Sequence, residues 1–136
     1  MPRLTRRYHF SASHRLDSPA LSAAENSRLY GKCNNPYGHG HDYTLEVSVE
    51  GAVNGADGQV VNREALDSLV ERRVLRLIDH KNLNLDVPEF DGAVPTTENL
   101  ASFIERRLRE GWDLGPKLVR IGIIETARNT FELEVE

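Results

Sequence analysis

Apolar and polar residues alternate along several stretches of the chain and recur at helical spacing along two others, and this patterning predicts most of the fold. Tyr43, Leu45, Val47 and Val49 share one parity, while Thr44, Glu46, Ser48 and Glu50 share the other. That is the signature of a half-buried strand. Leu4, Tyr8 and Phe10 mark an earlier strand through His14, although Arg6 interrupts the apolar parity. Near the C-terminus, residues 118–125 are rich in β-branched side chains. Phe131, Leu133 and Val135 then alternate with Glu132, Glu134 and Glu136, and Ala127-Arg128-Asn129 between these runs is short enough for a hairpin turn.

Two segments follow the helical period instead. Leu66, Leu69, Val70, Val74, Leu77 and Ile78 form a stripe behind a capping Asn62, and Glu64, Asp67, Glu71, Arg72 and Arg76 fill the other side. Leu100, Phe103, Ile104 and Leu108 form a second stripe, capped by Thr96 or Thr97 with Glu98 in the first turn and Gly111 at its end. Residues 15–38 carry Pro, Ser, Asn and Gly without a long apolar period and read as a substantial loop, as do residues 86–95. The predicted order is β-β-α-α-β-β, an α+β domain in which two helices cover one face of a four-stranded antiparallel sheet. Its edges and open face invite closure by other subunits.

Composition narrows the function classes. At 136 residues, 39% hydrophobic and 28% charged, the chain fits a single domain spanning residues 1–136 with a core of its own. No apolar run approaches the length of a membrane span, and the basic start Met1-Pro2-Arg3-Leu4-Thr5-Arg6-Arg7 lacks a secretory apolar segment, so a cytoplasmic protein is expected. The net charge of −4, with basic residues scattered among acidic ones, offers no footprint for duplex nucleic acid. The single cysteine excludes an internal disulfide. Cys33 lies in a polar, turn-rich stretch, which disfavours burial as an inert core thiol.

The chemistry concentrates around that cysteine. His39 and His41 flank Gly40 at the start of a strand, so their imidazoles point to the same side. If the two first strands pair antiparallel, the end of one lies beside the start of the other, and His14 joins them as a third ligand. His9 has the opposite parity and is expected at the surface. Three protein ligands with an open fourth position describe a catalytic zinc, although a lone His-x-His pair is also common on a solvated strand end. Asp79-His80 ends the first helix. There the acid can orient the imidazole to draw a proton from a thiol, or the histidine can merely complement the helix dipole. Glu125, at the end of an apolar strand, is either solvated or engaged by a cationic or donor-rich ligand.

Phe10-Ser11-Ala12-Ser13-His14, Cys33-Asn34-Asn35-Pro36-Tyr37-Gly38-His39-Gly40-His41, Asp79-His80-Lys81-Asn82-Leu83-Asn84, Pro95-Thr96-Thr97-Glu98-Asn99 and Glu125-Thr126 together resemble the 6-pyruvoyltetrahydropterin synthase family, in its order and over nearly the whole chain. The resemblance implies zinc on His14, His39 and His41, Cys33 as the proton-abstracting group, and Asp79 with His80 as its activating pair. It also implies that Glu125 anchors a pterin ring and that Thr96, Thr97 and Glu98 line the same pocket. The implied fold is the tunnelling fold, in which three subunits close their sheets into a barrel and two trimers stack as a hexamer. Active sites then lie between subunits. The implied substrate is 7,8-dihydroneopterin triphosphate, which loses triphosphate by elimination.

Five residues separate Cys33 from His39. That spacing favours the 6-pyruvoyl branch over the 6-carboxytetrahydropterin synthases of queuosine biosynthesis, which stand as the alternative. Cys33 argues against the branch that carries glutamate in its place. Arg15, Arg28, Lys32 and Lys81 are candidates for the triphosphate, against the simpler reading of a solvated surface. Ala127-Arg128-Asn129 departs from the acidic, Asn-rich turn associated with the family.

Overall fold

The alternation along the first half of the chain folds as expected, into a long antiparallel pair. The structure, a computed structural model, describes all 136 residues. Strands β1 (Arg3–His14) and β2 (His39–Glu50) pair along their full length, with His14 opposite His39 and Phe10 opposite Tyr43. β2 then pairs with β4 (Lys117–Ile124), with a register shift at Ser48/Val49, and β4 with β5 (Thr130–Glu134). These four are the strands predicted from the alternation and, for β4, from its β-branched residues. A fifth, β3 (Lys81–Asn82), adds two residues parallel to the end of β1, giving the order β3-β1-β2-β4-β5. Two residues are too few to show any period, so this strand left no trace in the pattern.

The helices cover one face. Behind the Asn62 cap, which accepts from the Ala65 N–H, α2 (Arg63–Val70) runs through a π turn at Glu71–Leu75 into α3 (Arg76–Ile78). The later helix α5 (Thr97–Gly111) is capped by Thr96 and carries the expected stripe inward. Leu45, Val47, Ile121 and Ile123 of the sheet and Leu66, Leu69, Leu100, Phe103, Ile104 and Leu108 of the helices are buried in one continuous core. Arg6, the break in the first strand's parity, does face the helices. Its guanidinium reaches Asp67 of α2 through Nε at 3.1 Å and Nη2 at 2.6 Å, and Tyr8 donates to the same carboxylate.

Two segments read as loops hold local structure. Residues 15–38 contain α1 (Ala23–Tyr30), started by a Ser22–Glu25 capping box, and a 3-10 turn at Gly31–Asn34. α1 buries only Asn26, whose side chain bonds the carbonyls of Ser18, Leu21 and Ser22, so no apolar stripe announces it. Between β3 and α5 lie α4 (Leu83–Asp86) and a 3-10 turn at Pro88–Phe90.

The opposite face of the sheet is polar and bare of helices. Across it runs a ladder in which Arg7 bonds Glu46 at 2.7 Å, Glu46 bonds Arg120 at 3.0 Å, and Arg120 bonds Glu132 at 2.6 Å. Glu46 is 8% exposed and Ser48 2%. The two arginines hold the Glu46 carboxyl below the usual range, the Arg7 hydrogen bond contributing most. Gly122 leaves room for this ladder, since a Cβ there would lie 2.7 Å from Arg120 Nη2 and 3.2 Å from Glu46 Oε1.

Candidate metal centre and active site

The antiparallel register brings His14 to the start of β2, as the strand parities required. The His14 and His41 ring centroids are 4.9 Å apart, and those of His39 and His41 4.8 Å. Parity also separates His9, which is exposed and hydrogen-bonds Thr44 on the far side of β1.

His14 is fully buried. Its Nδ1 lies 3.0 Å from the Pro95 carbonyl, which can only accept, so Nδ1 carries the proton. Burial, with His41 nearby, pushes its pKa below the ordinary value, so the ring is neutral and Nε2 carries a bare lone pair. That Nε2 is buried without a hydrogen-bond partner. An imidazole fixed by a carbonyl at one nitrogen and aimed with the other is the arrangement of a metal ligand.

Cys33 comes from the 3-10 turn after α1, which is stapled to the chain leaving β1. Leu16 N–H donates to the Cys33 carbonyl at 2.7 Å, and the Asn34 side chain donates to the Leu16 carbonyl at 2.7 Å and to Asp17 at 3.0 Å. Cys33 Sγ thereby sits 3.6 Å from His41 Nε2. His14, Cys33 and His41 can each offer a ligand atom, all within 4.8 Å of one another. His39 is exposed and stands beside this trio, ring against ring with His41. Burial and then the Glu125 charge push the Cys33 thiol up. His80 plays no part in that shift, and a thiolate here calls for a cation.

Glu125 closes the other side. Its Oε1 is 3.4 Å from His41 Nε2, and its Oε2 accepts the Thr97 hydroxyl at 2.6 Å. His41 is held below its ordinary pKa by burial, which outweighs the raising effect of Glu125. Tyr43, next inward on the same face of β2, stacks on Phe10 and has a buried hydroxyl without a partner. A cavity of about 340 Å³ opens beside Glu125, lined by Leu16, Leu29, Tyr30, Thr96, Thr97 and Glu98. Thr96 caps α5 while Thr97 bonds Glu125, so the Thr-Thr-Glu stretch is both a helix start and a wall of this cavity.

Asp79 and His80 stand apart from Cys33. Ser11 clasps them: its N–H donates to Asp79 Oδ1 at 3.0 Å and its carbonyl accepts from His80 N at 2.6 Å. His80 adopts φ +60°, a left-handed conformation that non-glycine residues rarely hold, and its side chain is 81% exposed. Its Nε2 lies 3.6 Å from Asp79 Oδ1. Both residues border the open face of the sheet, where His80, Lys81, Ser13 and His41 help line a cavity of about 570 Å³. Of the basic candidates, Arg15 is turned toward Asp17 and the Asn34 carbonyl, Arg28 and Lys32 are exposed, and Lys81 lines this cavity.

Several contributors escaped the sequence reading. Asn84 exchanges two hydrogen bonds with the Arg15 backbone, at 2.7 and 2.9 Å, and so fixes the chain just beyond His14. The Pro95 carbonyl and Leu29 of α1 were equally silent, because a backbone acceptor and a lone exposed leucine carry no pattern. Only the Ser22-x-x-Glu25 spacing could have announced α1.

A helix-backed, mostly antiparallel sheet, with a histidine–thiol group at one end that could hold a metal ion and a carboxylate walling it, defines a domain of the tunnelling-fold class. A family model for 6-pyruvoyl tetrahydropterin synthase matches residues 3–136, and the chain belongs to that family. It is 46% identical over 121 residues to the human 6-pyruvoyl tetrahydrobiopterin synthase, covering 89% of this chain and 79% of that protein. To the Dictyostelium discoideum enzyme of the same name it is 48% identical over 126 residues, covering 93% and 90%. The solved Caenorhabditis elegans 6-pyruvoyl tetrahydropterin synthase superposes with a TM-score of 0.88 at 38% identity, covering 100% of this chain and 98% of that one.

Proposed function

We propose that the chain is a metal-dependent lyase that converts 7,8-dihydroneopterin triphosphate to 6-pyruvoyltetrahydropterin with loss of triphosphate. The observation that carries this reading is the meeting of a lone thiol, a buried imidazole with an unpartnered nitrogen, and a carboxylate that borders a cavity of about 340 Å³. The relatives named above are 6-pyruvoyl synthases, and the five-residue spacing from Cys33 to His39 accords with that branch.

His14 and His41, with His39 beside them, would hold the metal, and zinc suits an imidazole-rich set. A metal held there would supply Lewis-acid stabilisation of the negative charge that develops on the substrate side chain as its C–H proton leaves. Every other part of the mechanism belongs to the chain. Glu125 accepts paired hydrogen bonds from the amino and ring N–H donors of the pterin, and the Thr97 hydroxyl keeps its carboxylate turned toward the slot. Thr96 and Glu98 complete the wall. Cys33 Sγ takes the proton from the substrate side chain, and triphosphate leaves as the new double bond forms. Asp79 orients His80 to pass that proton on.

His80 faces outward from its own subunit, so it serves a Cys33 across a subunit boundary. The assembly that supplies this arrangement is a hexamer made from two trimers, each closing its sheets into a barrel around the polar face. Cys33→Ala tests the reading. Turnover of 7,8-dihydroneopterin triphosphate falls by at least ~10³-fold while bound metal stays stoichiometric; retained turnover rejects Cys33 as the base. Product mass distinguishes the 6-pyruvoyl from the 6-carboxy product.

A further inference from the structure

The side chains whose ligand atoms gather within 4.8 Å of one another are not three imidazoles but two imidazoles and the thiol, His14, His41 and Cys33. His14 Nε2 is a neutral lone pair, fully buried and without a hydrogen-bond partner, and it belongs to this set. Two ligands of one tetrahedral zinc, bound at about 2.0–2.1 Å through nitrogen and about 2.3 Å through sulfur, stand about 3.6 Å apart. Cys33 Sγ and His41 Nε2 are separated by 3.6 Å. They are already spaced as neighbours in one coordination shell. His39 lies outside the set and is exposed, so the third ligand atom beside His14 and His41 is sulfur.

The backbone that carries the sulfur is tied to the chain leaving His14. Leu16 N–H grips the Cys33 carbonyl at 2.7 Å, two residues beyond His14. The chain segment that delivers one histidine therefore also delivers the thiol. A base that only visited the site would need no such tether.

We propose that Cys33 is a ligand of the resting metal centre, and that an oxygen of the substrate side chain displaces it to set it free as the base. In the exchange one metal–sulfur bond breaks and one metal–oxygen bond forms, with the electron pair remaining on sulfur. Cys33 then accepts the substrate's C–H proton as a thiolate. Bound to the metal it is shielded from oxidants and alkylating agents, and it becomes nucleophilic only when a substrate is seated. The inference rests on the proposed function for the displacing oxygen and for the role of Cys33 as base, and the resting ligation stands without it.

The test is the absorption spectrum of the 136-residue protein loaded with cobalt(II) alone. A thiolate ligand gives an intense near-ultraviolet sulfur-to-cobalt charge-transfer band. The chain has one cysteine, so that band in the wild type can arise from no other thiolate and needs no variant to fold. Cys33→Ala is expected to lose it while keeping the weaker visible bands of histidine-bound cobalt. Titration with 7,8-dihydroneopterin, which lacks a triphosphate to eliminate, is expected to abolish the wild-type band in proportion to occupancy. Absence of the band in the wild type overturns the ligation, even if Cys33→Ala is inactive and the base reading stands. A band that persists with saturating pterin overturns the exchange. An inactive substrate assay beside a pterin-sensitive band would reject the proposed lyase activity while leaving the ligation intact.

Discussion

At His14 three constraints act on one imidazole: the strand register sets its position, the Pro95 carbonyl sets its tautomer, and burial keeps it neutral. His9, five residues earlier on the other face, has none of these. Metal binding should therefore separate the two sharply. His14→Ala is expected to lower zinc affinity by at least ~100-fold, whereas His9→Ala leaves it within about twofold, as measured by competition with a chelator. Glu125 makes a different prediction. Replacing it by Gln removes one charged acceptor while keeping the shape, so Glu125→Gln should reduce kcat/KM by about 10–100-fold with metal content unchanged. These roles were legible in part. Residue type and parity nominated His14, His39 and His41, and strand position with the family resemblance nominated Glu125, but no pattern could report that sulfur rather than His39 gathers with His14 and His41.

The elements around the site work by fixing chain ends. Gly38 is the clearest case, with φ +81° and a would-be Cβ only 3.0 Å from the His14 carbonyl oxygen. The turn from Cys33 to β2 passes so close to the end of β1 that a side chain has no room. Gly38→Ala is expected to destabilise the protein by about 1–3 kcal/mol, read as a lower urea midpoint, and to loosen metal binding because both histidine strands must part. Thr96 gives a milder prediction. Its hydroxyl caps α5 at the Asn99 N–H, so Thr96→Ala should cost about 1 kcal/mol in thermal or urea unfolding. The long helices and four long strands were readable because each repeats its period several times. α1, β3 and α4 were not, since each is short and is held by side-chain amides such as Asn26, Asn82 and Asn84 rather than by an apolar stripe.

On the scale of the whole molecule, one face of the sheet buries the core and the other carries an ion-pair ladder from Arg7 through Glu46 and Arg120 to Glu132. A proposed barrel would enclose that ladder, and light scattering should then give six times the mass of the chain. Buried His14 and half-buried His41 give the fold a pH dependence. Both have folded pKa values below the ordinary 6.5, so between those values and 6.5 the unfolded chain binds more protons than the folded one. Stability of the metal-free protein is expected to be full above that window and to fall as pH drops through it. Urea unfolding at neutral pH and at about pH 5 measures the loss, and bound zinc should oppose it near neutrality.

By itself the sequence nominated the residues proposed to carry chemistry and determined the long strands and helices, because period and residue type are local properties that repeat along the chain. Only the tertiary structure decided which of those residues meet. Cys33 reaches His41 through a backbone bond to Leu16, and His80 is turned outward by a clasp to Ser11. Such contacts join positions far apart in the chain through single hydrogen bonds, and a single contact leaves no period to read.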